Sequence, residues 1–175
     1  MGWTKKLLRV NLTAGTCTPE PLNMEWAHAY LGQRGLGSKY LVDEVDATCD
    51  ALSPENKFIM ATGPLTGTTA ATGGRYSVIT KSPLTGAIAC SNSGGFIGAE
   101  MKMAGWDMII FEGKSDSPVY LNVINDKAEL LDASELWGKS VWDTDAALHS
   151  KHQDAQMRVA CVGRAAEAGN LYAAV

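Results

Sequence analysis

The sequence lacks the excess of positive charge and the long apolar runs on which several protein classes depend. Its 175 residues carry 15 basic and 19 acidic side chains, a net charge of -4. Because phosphate contacts need a basic surface, nucleic-acid binding is not expected. No apolar run approaches the roughly 20 residues of a membrane span, and the apolar stretch after Lys5 and Lys6 is too short for a secretory signal. We therefore expect a cytoplasmic protein with no membrane segment.

Paired cysteines are also missing. The sequence has four cysteines, Cys17, Cys49, Cys90 and Cys161, which lie far apart and form no Cys-x-x-Cys pair. Zinc and iron–sulfur sites usually take two or more ligands from one short turn, so this spacing argues against a metal site. We interpret the cysteines as reduced and mainly apolar in role. No Ser–His–Asp or Cys–His arrangement stands out, so general acid–base catalysis has no candidate residue in the sequence.

Short β-rich runs dominate and predict an α+β domain with mixed or antiparallel sheets. Because short turns, not helices, separate most neighbouring runs, a doubly wound parallel sheet is not expected. Strands are predicted at residues 6–12, 16–20, 58–62, 75–80, 87–91, 107–112, 119–124, 128–131, 157–162 and 171–175. Helices are predicted at residues 24–31 after an Asn23 cap, and at 38–45, 95–104 and 141–151.

The last predicted strand, residues 171–175, reaches the end of the sequence. A natural domain seldom ends inside an apolar strand without a polar tail. We therefore expect residues 1–175 to be one domain of a longer, truncated chain.

Residues 58–99 form a window with almost no charge. The window holds 8 of the 18 glycines, and its only charged residues are Arg75 and Lys81, both positive. Clustered glycines let another group approach the backbone closely, and open backbone N–H groups bind anions. A large, flat ligand with anionic ends would account for the missing charge, the glycines and the positive sign together.

Two motifs in the window are candidate ligand contacts. Arg75 follows a glycine pair in Thr72-Gly-Gly-Arg-Tyr76, where its guanidinium can bind a phosphate or a planar ring edge bidentately; the alternative is an arginine on an exposed strand face. In Ser91-Asn-Ser-Gly-Gly-Phe-Ile-Gly98, a strand is predicted to end in a glycine turn that opens a helix and presents free N–H groups. The alternative there is that Asn92 only caps a tight turn.

The glycine-rich stretch at residues 32–37 is interpreted as the end of the first helix. Its spacing begins Gly-x-x-Gly, and it follows a predicted helix. The dinucleotide fingerprint requires Gly-x-Gly-x-x-Gly after a strand, so a Rossmann site is not expected.

Several motifs in one order resemble a known family. They are Leu52-Ser-Pro-Glu-Asn-Lys57, Ala61-Thr-Gly-Pro-Leu-Thr-Gly67, Thr72-Gly-Gly-Arg-Tyr76, Thr80-Lys-Ser-Pro-Leu-Thr-Gly86, Asn92-Ser-Gly-Gly-Phe96 and Phe111-Glu-Gly-Lys114. Together they resemble the N-terminal domain of the aldehyde ferredoxin oxidoreductases, the tungsten-pterin enzymes, over essentially the whole chain. The resemblance implies two β-sheets that form the base for a tungsten or molybdenum bis-pterin cofactor.

The resemblance also implies roles for individual residues. Arg75 would bind a pterin, and the turn of Asn92, Ser93, Gly94 and Gly95 would supply backbone contacts to the cofactor. The backbone carbonyl of Asn92 would ligate a magnesium ion that bridges the cofactor phosphates, a hard cation suited to oxygen ligands. The iron–sulfur cysteines and the acid–base residues of the family lie in later segments, so no catalytic residue is expected in this chain.

The activity implied is the oxidation of a small aldehyde to a carboxylic acid, with electrons passing through an iron–sulfur cluster to ferredoxin or another electron-transfer subunit. The expected partners are the remaining domains of the enzyme and a second copy in a homo-oligomer. Two alternatives remain open. The chain could be a non-catalytic module that binds a phosphate-bearing ligand or docks on a partner subunit, or it could belong to a related tungsten enzyme that reduces acids or aromatic thioesters.

Overall fold

The structure is a computed structural model that describes residues 2–173. It contains eight strands and five helices within that range. In chain order the elements are β1 (Lys6–Asn11), β2 (Thr16–Pro21), α1 (Met24–Tyr30), α2 (Gln33–Glu44), β3 (Lys57–Thr62), β4 (Tyr76–Lys81), β5 (Ile88–Ser93), α3 (Ile97–Met103), β6 (Met108–Glu112), β7 (Val119–Ile124), β8 (Lys127–Asp132), α4 (Val141–His152) and α5 (Arg164–Glu167).

Six of the strands form one mixed sheet, in the order β2-β1-β6-β3-β4-β5. β1 and β6 are parallel neighbours, and the other neighbouring pairs are antiparallel. β7 and β8 form a separate antiparallel hairpin. The predicted α+β fold with two mixed or antiparallel sheets is therefore confirmed.

The central strands of the large sheet are covered on both faces, to which successive residues of a strand point alternately, whereas the edge strands β2 and β5 are largely exposed. On one face, Leu36 of α2 packs in a buried cluster with Ile59 of β3 and Ile79 of β4. On the other face, Trp106 packs with Leu8 of β1, and the β7–β8 hairpin lies against this second cluster. The middle of the sheet is thus a covered layer, and the loops at its ends are free to carry exposed polar groups.

Of the two helices before β3, α1 begins where the sequence predicts and α2 begins earlier than predicted. Asn23 caps α1 as predicted, since its side-chain oxygen accepts a hydrogen bond from the backbone N–H of Trp26 at 3.0 Å. The prediction that the second helix begins at Ser38 is wrong, because α2 begins at Gln33. Gly37 lies inside α2 against β4, where a Cβ would come within 2.5 Å of Cδ1 of Ile79. Close packing on the sheet here outweighs the poor helix propensity of glycine.

The two strands predicted near the end of the sequence are not found among the described residues. Residues 157–162 have no strand pairing, and residues 171–173 form a turn, while 174 and 175 lie outside the described residues. A strand needs a hydrogen-bonded neighbour. This segment contacts the rest of the protein through side chains instead. The guanidinium carbon of Arg158 lies 4.7 Å from the ring centre of Phe96.

The helices are short. The longest, α2 and α4, have 12 residues each. Between residues 2 and 173, none has both the length and the apolar character needed to span a membrane.

Candidate functional site

An open groove of about 490 Å³ lies at one end of the large sheet. Three segments form its walls: the α1–α2 junction, the long loop between β3 and β4, and the adjoining ends of β4 and β5. The lining residues include Gln33 from the junction, Thr66 from the loop, and Arg75 and Asn92 from the strand ends. The groove therefore brings together the two polar residues that the sequence singled out.

Arg75 and Asn92 are directly bonded. Nη1 of Arg75 donates to Oδ1 of Asn92 at 3.1 Å. The amide nitrogen of Asn92 in turn donates to the backbone oxygen of Tyr76 at 3.2 Å and to Oγ of Ser77 at 3.3 Å. These two bonds orient the amide, because only its oxygen then remains to face the arginine. Asn92 is a fixed support for Arg75 and not merely a turn cap.

The turn after β5 presents unused backbone donors. The N–H groups of Gly94, Gly95 and Phe96 donate to no acceptor among residues 2–173. Gly95 has φ of 76°, a left-handed conformation that glycine adopts without strain. Adjacent free N–H groups form an anion-binding concavity, so the turn can bind an anion beside the Arg75 guanidinium.

A close approach of two backbones holds this turn in place. A Cβ on Gly74 would lie 2.6 Å from the backbone oxygen of Gly95, which shows how tightly the β3–β4 loop presses on the turn. The side chain of Arg75 lies over Gly94, where an added Cβ would be 3.7 Å from Nε of Arg75. The glycines of both motifs are thus needed to bring Arg75 and the turn together.

The charge-poor window is only partly buried. Its β3 and β4 portion is in the core, with Ile59 and Ile79 fully buried. Residues 83–88 and 90–93 are exposed, together with Arg75 and Gly95, and Gly94 is half-buried. Phe96 exposes 64% of its surface. The expectation that another group covers this surface stays a prediction.

Lys81, the second charged residue of the window, is not part of the groove. Its Nζ donates to the backbone oxygens of Ala47, at 2.7 Å, and Cys49. It therefore secures the loop after α2. Arg75 is the cation of this window that faces the groove.

Sequence reasoning missed Gln33 and Thr66, which both bond to the backbone oxygen of Arg75. It also missed Arg158, which lines a second groove of about 480 Å³ on the other side of the Gly94–Gly95 turn. The glycine-rich stretch at 32–37 was the available signal for Gln33, since glycines allow close backbone packing there. Nothing in the local sequence around Arg158 indicates its contact with Phe96.

The cysteines are free thiols. Burial, with a smaller effect of the Glu129 charge, raises the pKa of the Cys17 thiol, and burial with the Asp145 charge raises the pKa of Cys161. Both are therefore poor nucleophiles at neutral pH. Within the part of the chain that the structure describes, no three His, Cys, Asp or Glu side chains are grouped to hold a metal.

Comparison with known proteins identifies relatives along the whole chain. The family described as "Aldehyde ferredoxin oxidoreductase, N-terminal domain" matches residues 7–175. The tungsten-containing aldehyde ferredoxin oxidoreductase of Pyrococcus abyssi is 55% identical over 174 residues, which are 99% of this chain and 29% of that protein. A protein named as the WOR-like subunit of an aliphatic sulfonate oxidoreductase, from Pyrococcus furiosus, is 38% identical over 136 residues, 76% of this chain and 22% of that protein.

A solved structure shares the fold. The active site complex BamBC of benzoyl coenzyme A reductase, in complex with 1,5-dienoyl-CoA, aligns with a TM-score of 0.95 and 39% identity over 98% of this chain and 26% of that chain. The present chain thus spans 29% of the length of the first relatives and 26% of the solved one.

Proposed function

This chain belongs to the aldehyde ferredoxin oxidoreductase family, whose N-terminal domain it matches, and we propose that it is the cofactor-binding part of a tungsten bis-pterin oxidoreductase. The reaction proposed for the whole enzyme is the oxidation of a small aldehyde with water to a carboxylic acid. The electrons would pass through an iron–sulfur cluster, bound by other domains of the enzyme, to ferredoxin or another electron-transfer subunit.

One observation carries the proposal. The Arg75 guanidinium lines the open groove, where Asn92 fixes it, and the Gly94–Gly95 turn with its free N–H groups lies directly against the arginine side chain, at the edge of the second groove. Arg75 forms no ion pair with any carboxylate among the described residues. An uncompensated cation beside unused amide donors is the arrangement that a phosphate-ended, planar ligand requires.

The residues present fit a pterin cofactor. Arg75 can donate in parallel to a ring edge or to a phosphate, and the Gly94–Gly95 turn can donate to phosphate oxygens. When bound, the cofactor would supply the dithiolene-ligated metal at which the redox chemistry occurs. The residues of this chain would bind and orient the cofactor. We assign them no proton transfer, because Arg75 is the one titratable residue among those that line the groove.

We further propose that the backbone carbonyl of Asn92 ligates a magnesium ion between the cofactor phosphates. Magnesium takes oxygen ligands and is commonly bound by phosphates together with a few protein oxygens. Ser93 would contribute backbone contacts from the same turn. A cytoplasmic location and a homo-oligomeric enzyme stay predictions from the sequence.

A second candidate is a related enzyme that works in the reductive direction. The likeness to the active site complex of benzoyl coenzyme A reductase favours it, because identity is 39% over 98% of the chain. Identity to the aldehyde oxidoreductase of Pyrococcus abyssi is 55% over 99% of the chain, and we therefore place aldehyde oxidation first.

Metal and pterin analysis of the full-length enzyme tests the proposal. We expect tungsten or molybdenum together with pterin in the purified protein, and aldehyde-dependent reduction of an electron acceptor. An active preparation free of metal and pterin would overturn the proposal. Aromatic thioester reduction without aldehyde oxidation would favour the second candidate.

A further inference from the structure

The backbone oxygen of Arg75 accepts two side-chain hydrogen bonds. Nε2 of Gln33 donates to it at 3.1 Å, and Oγ1 of Thr66 donates at 3.0 Å. A carbonyl oxygen has two lone pairs, so both are used. Oγ1 of Thr66 also accepts from the backbone N–H of Gly63 at 3.0 Å, and Thr66 is buried. The main chain of Arg75 is therefore held from two directions, by the β3–β4 loop and by the α1–α2 junction.

The conformation of Gln33 is specialised for this contact. Its φ of 45° lies in the left-handed region, which is uncommon for a residue with a side chain. The preceding Gly32 lies against β3, where a Cβ would be 2.7 Å from the backbone oxygen of Thr62. The Gln33 side chain runs past Gly63, so that an added Cβ there would be 3.6 Å from Cγ and Nε2 of Gln33. The junction thus directs the carboxamide across the groove wall to Arg75.

We propose that Gln33 is a positioning residue for Arg75, an inference that rests on the proposed cofactor site. Gln33 fixes the carbonyl of Arg75, and the guanidinium, anchored at its other end by Asn92, then has a defined direction in the groove. Without the Gln33 bond, the backbone oxygen of Arg75 would accept a hydrogen bond from Thr66 alone. The arginine would then sample more orientations, and ordering it on the ligand would cost part of the binding free energy.

The first test compares glutamine variants of the full-length enzyme. Gln33→Met removes the donor at similar size, and Gln33→Glu replaces the donor by an acceptor and adds a negative charge beside the anion site. Gln153→Met is the matched control, because Gln153 also has a positive φ, 52°, and is exposed at the end of α4. Pterin and tungsten per protein are measured after dialysis, with thermal unfolding of the cofactor-free protein.

We expect pterin retention to fall about 2- to 10-fold in Gln33→Met, the factor that one neutral hydrogen bond supplies, and further in Gln33→Glu. Thermal unfolding of the cofactor-free variants should match that of Gln153→Met. Retention equal to the control in both Gln33 variants would overturn the inference. A loss of retention that only follows a loss of thermal stability would also overturn it, since Gln33 would then be merely structural.

The second test is a double-variant cycle. If Gln33 acts through Arg75, then Arg75→Ala with Gln33→Met should retain no less pterin than Arg75→Ala alone. Additive losses would overturn the positioning role. A wild-type enzyme that contains no pterin would overturn both the proposed function and this inference, whereas full loading of both Gln33 variants beside a loaded wild type would overturn this inference alone.

Discussion

The guanidinium of Arg75 donates to the side-chain oxygen of Asn92 across 3.1 Å and so connects the start of β4 to the end of β5. The bond uses one donor of Nη1 and leaves Nε and Nη2 without an acceptor among residues 2–173. A neutral partner orients the cation without cancelling its charge. Arg75 thus keeps the donors and the charge that an anionic ligand needs.

Replacing Arg75 by alanine should lower the pterin and tungsten content of the full-length enzyme by about tenfold or more, since hydrogen bonds to charged groups contribute about 1.5–3 kcal/mol. Arg75→Lys should give an intermediate loss, because lysine keeps the charge but not the planar fork. Lys127→Ala, on the exposed start of β8, is the charge-matched control. Elemental and pterin analysis measures the effect, and unchanged content in Arg75→Ala would contradict the role assigned to this residue.

Replacing Gly74 by alanine should displace the Gly94–Gly95 turn, because the added Cβ would lie 2.6 Å from the Gly95 oxygen. We expect a destabilisation of about 1–3 kcal/mol, as for other overpacked positions, together with a loss of pterin. Gly163→Ala is the control, since its Cβ would meet only Cγ2 of Val141 at 3.4 Å. Thermal unfolding and pterin content are measured together. If Gly163→Ala lowered stability and pterin content as much as Gly74→Ala, the close approach of Gly74 to Gly95 would not be what holds the turn.

Most of the fold could be predicted from local pattern. The strands of the large sheet alternate between its two buried faces, as Leu7 and Leu8 do on β1, and such alternation is visible in the sequence. Asn23 is a helix cap that needs no tertiary information. Arg75 could be identified as a candidate because it interrupts a glycine-rich, charge-poor window, and Asn92 because it precedes the glycine turn predicted after a strand.

The remainder depends on contacts between distant residues. The start of α2 could not be predicted, because glycine normally stops a helix and only the contact of Gly37 with Ile79 shows why it does not here. The bond from Gln33 to the Arg75 carbonyl joins residues 42 positions apart. Residues 157–162 form a mostly apolar run typical of a strand, yet no described strand pairs with them. A sequence pattern carries no information on whether a neighbouring strand is present.

Lys102 of α3 and Asp107 before β6 form a buried ion pair, with 9% and 3% of their side-chain surface exposed. Asp107 also accepts from the backbone N–H of Lys5 at 2.7 Å. Lys102→Met should leave this carboxylate buried and unpaired, so we expect a loss of about 3–5 kcal/mol in the free energy of unfolding. Lys39→Met, which breaks a partly exposed pair with Asp43, should cost under about 1 kcal/mol. Denaturant unfolding compares the two variants, and similar losses would contradict the prediction.

Glu44 of α2 and Glu112 of β6 share two cations. Nζ of Lys57 lies 2.7 Å from Glu44 and 2.8 Å from Glu112, and Nη1 of Arg9 lies 2.8 Å and 3.1 Å from the same carboxylates. Burial would raise the pKa of each carboxyl, but the hydrogen bonds from Arg9 and Lys57 outweigh it and hold the pKa of both below their ordinary value of 4.5. Because the folded pKa is below the unfolded one, this stabilisation is complete above the unfolded pKa and is lost as pH falls through the folded pKa.

Local opening of β1 and β6 should therefore become easier as the pH falls through the folded pKa of these two carboxyls, which lies below 4.5, because both carboxylates then take up protons. Hydrogen exchange of the β1 and β6 amides, corrected for the intrinsic effect of pH, measures this opening. The Glu44→Gln, Glu112→Gln double variant should be less protected at pH 7 but should lose little further protection on acidification, since the titrating groups are gone. Glu55→Gln, in an exposed loop, should keep the wild-type pH dependence. If the double variant kept that dependence too, the acid sensitivity of these strands would arise from other carboxylates.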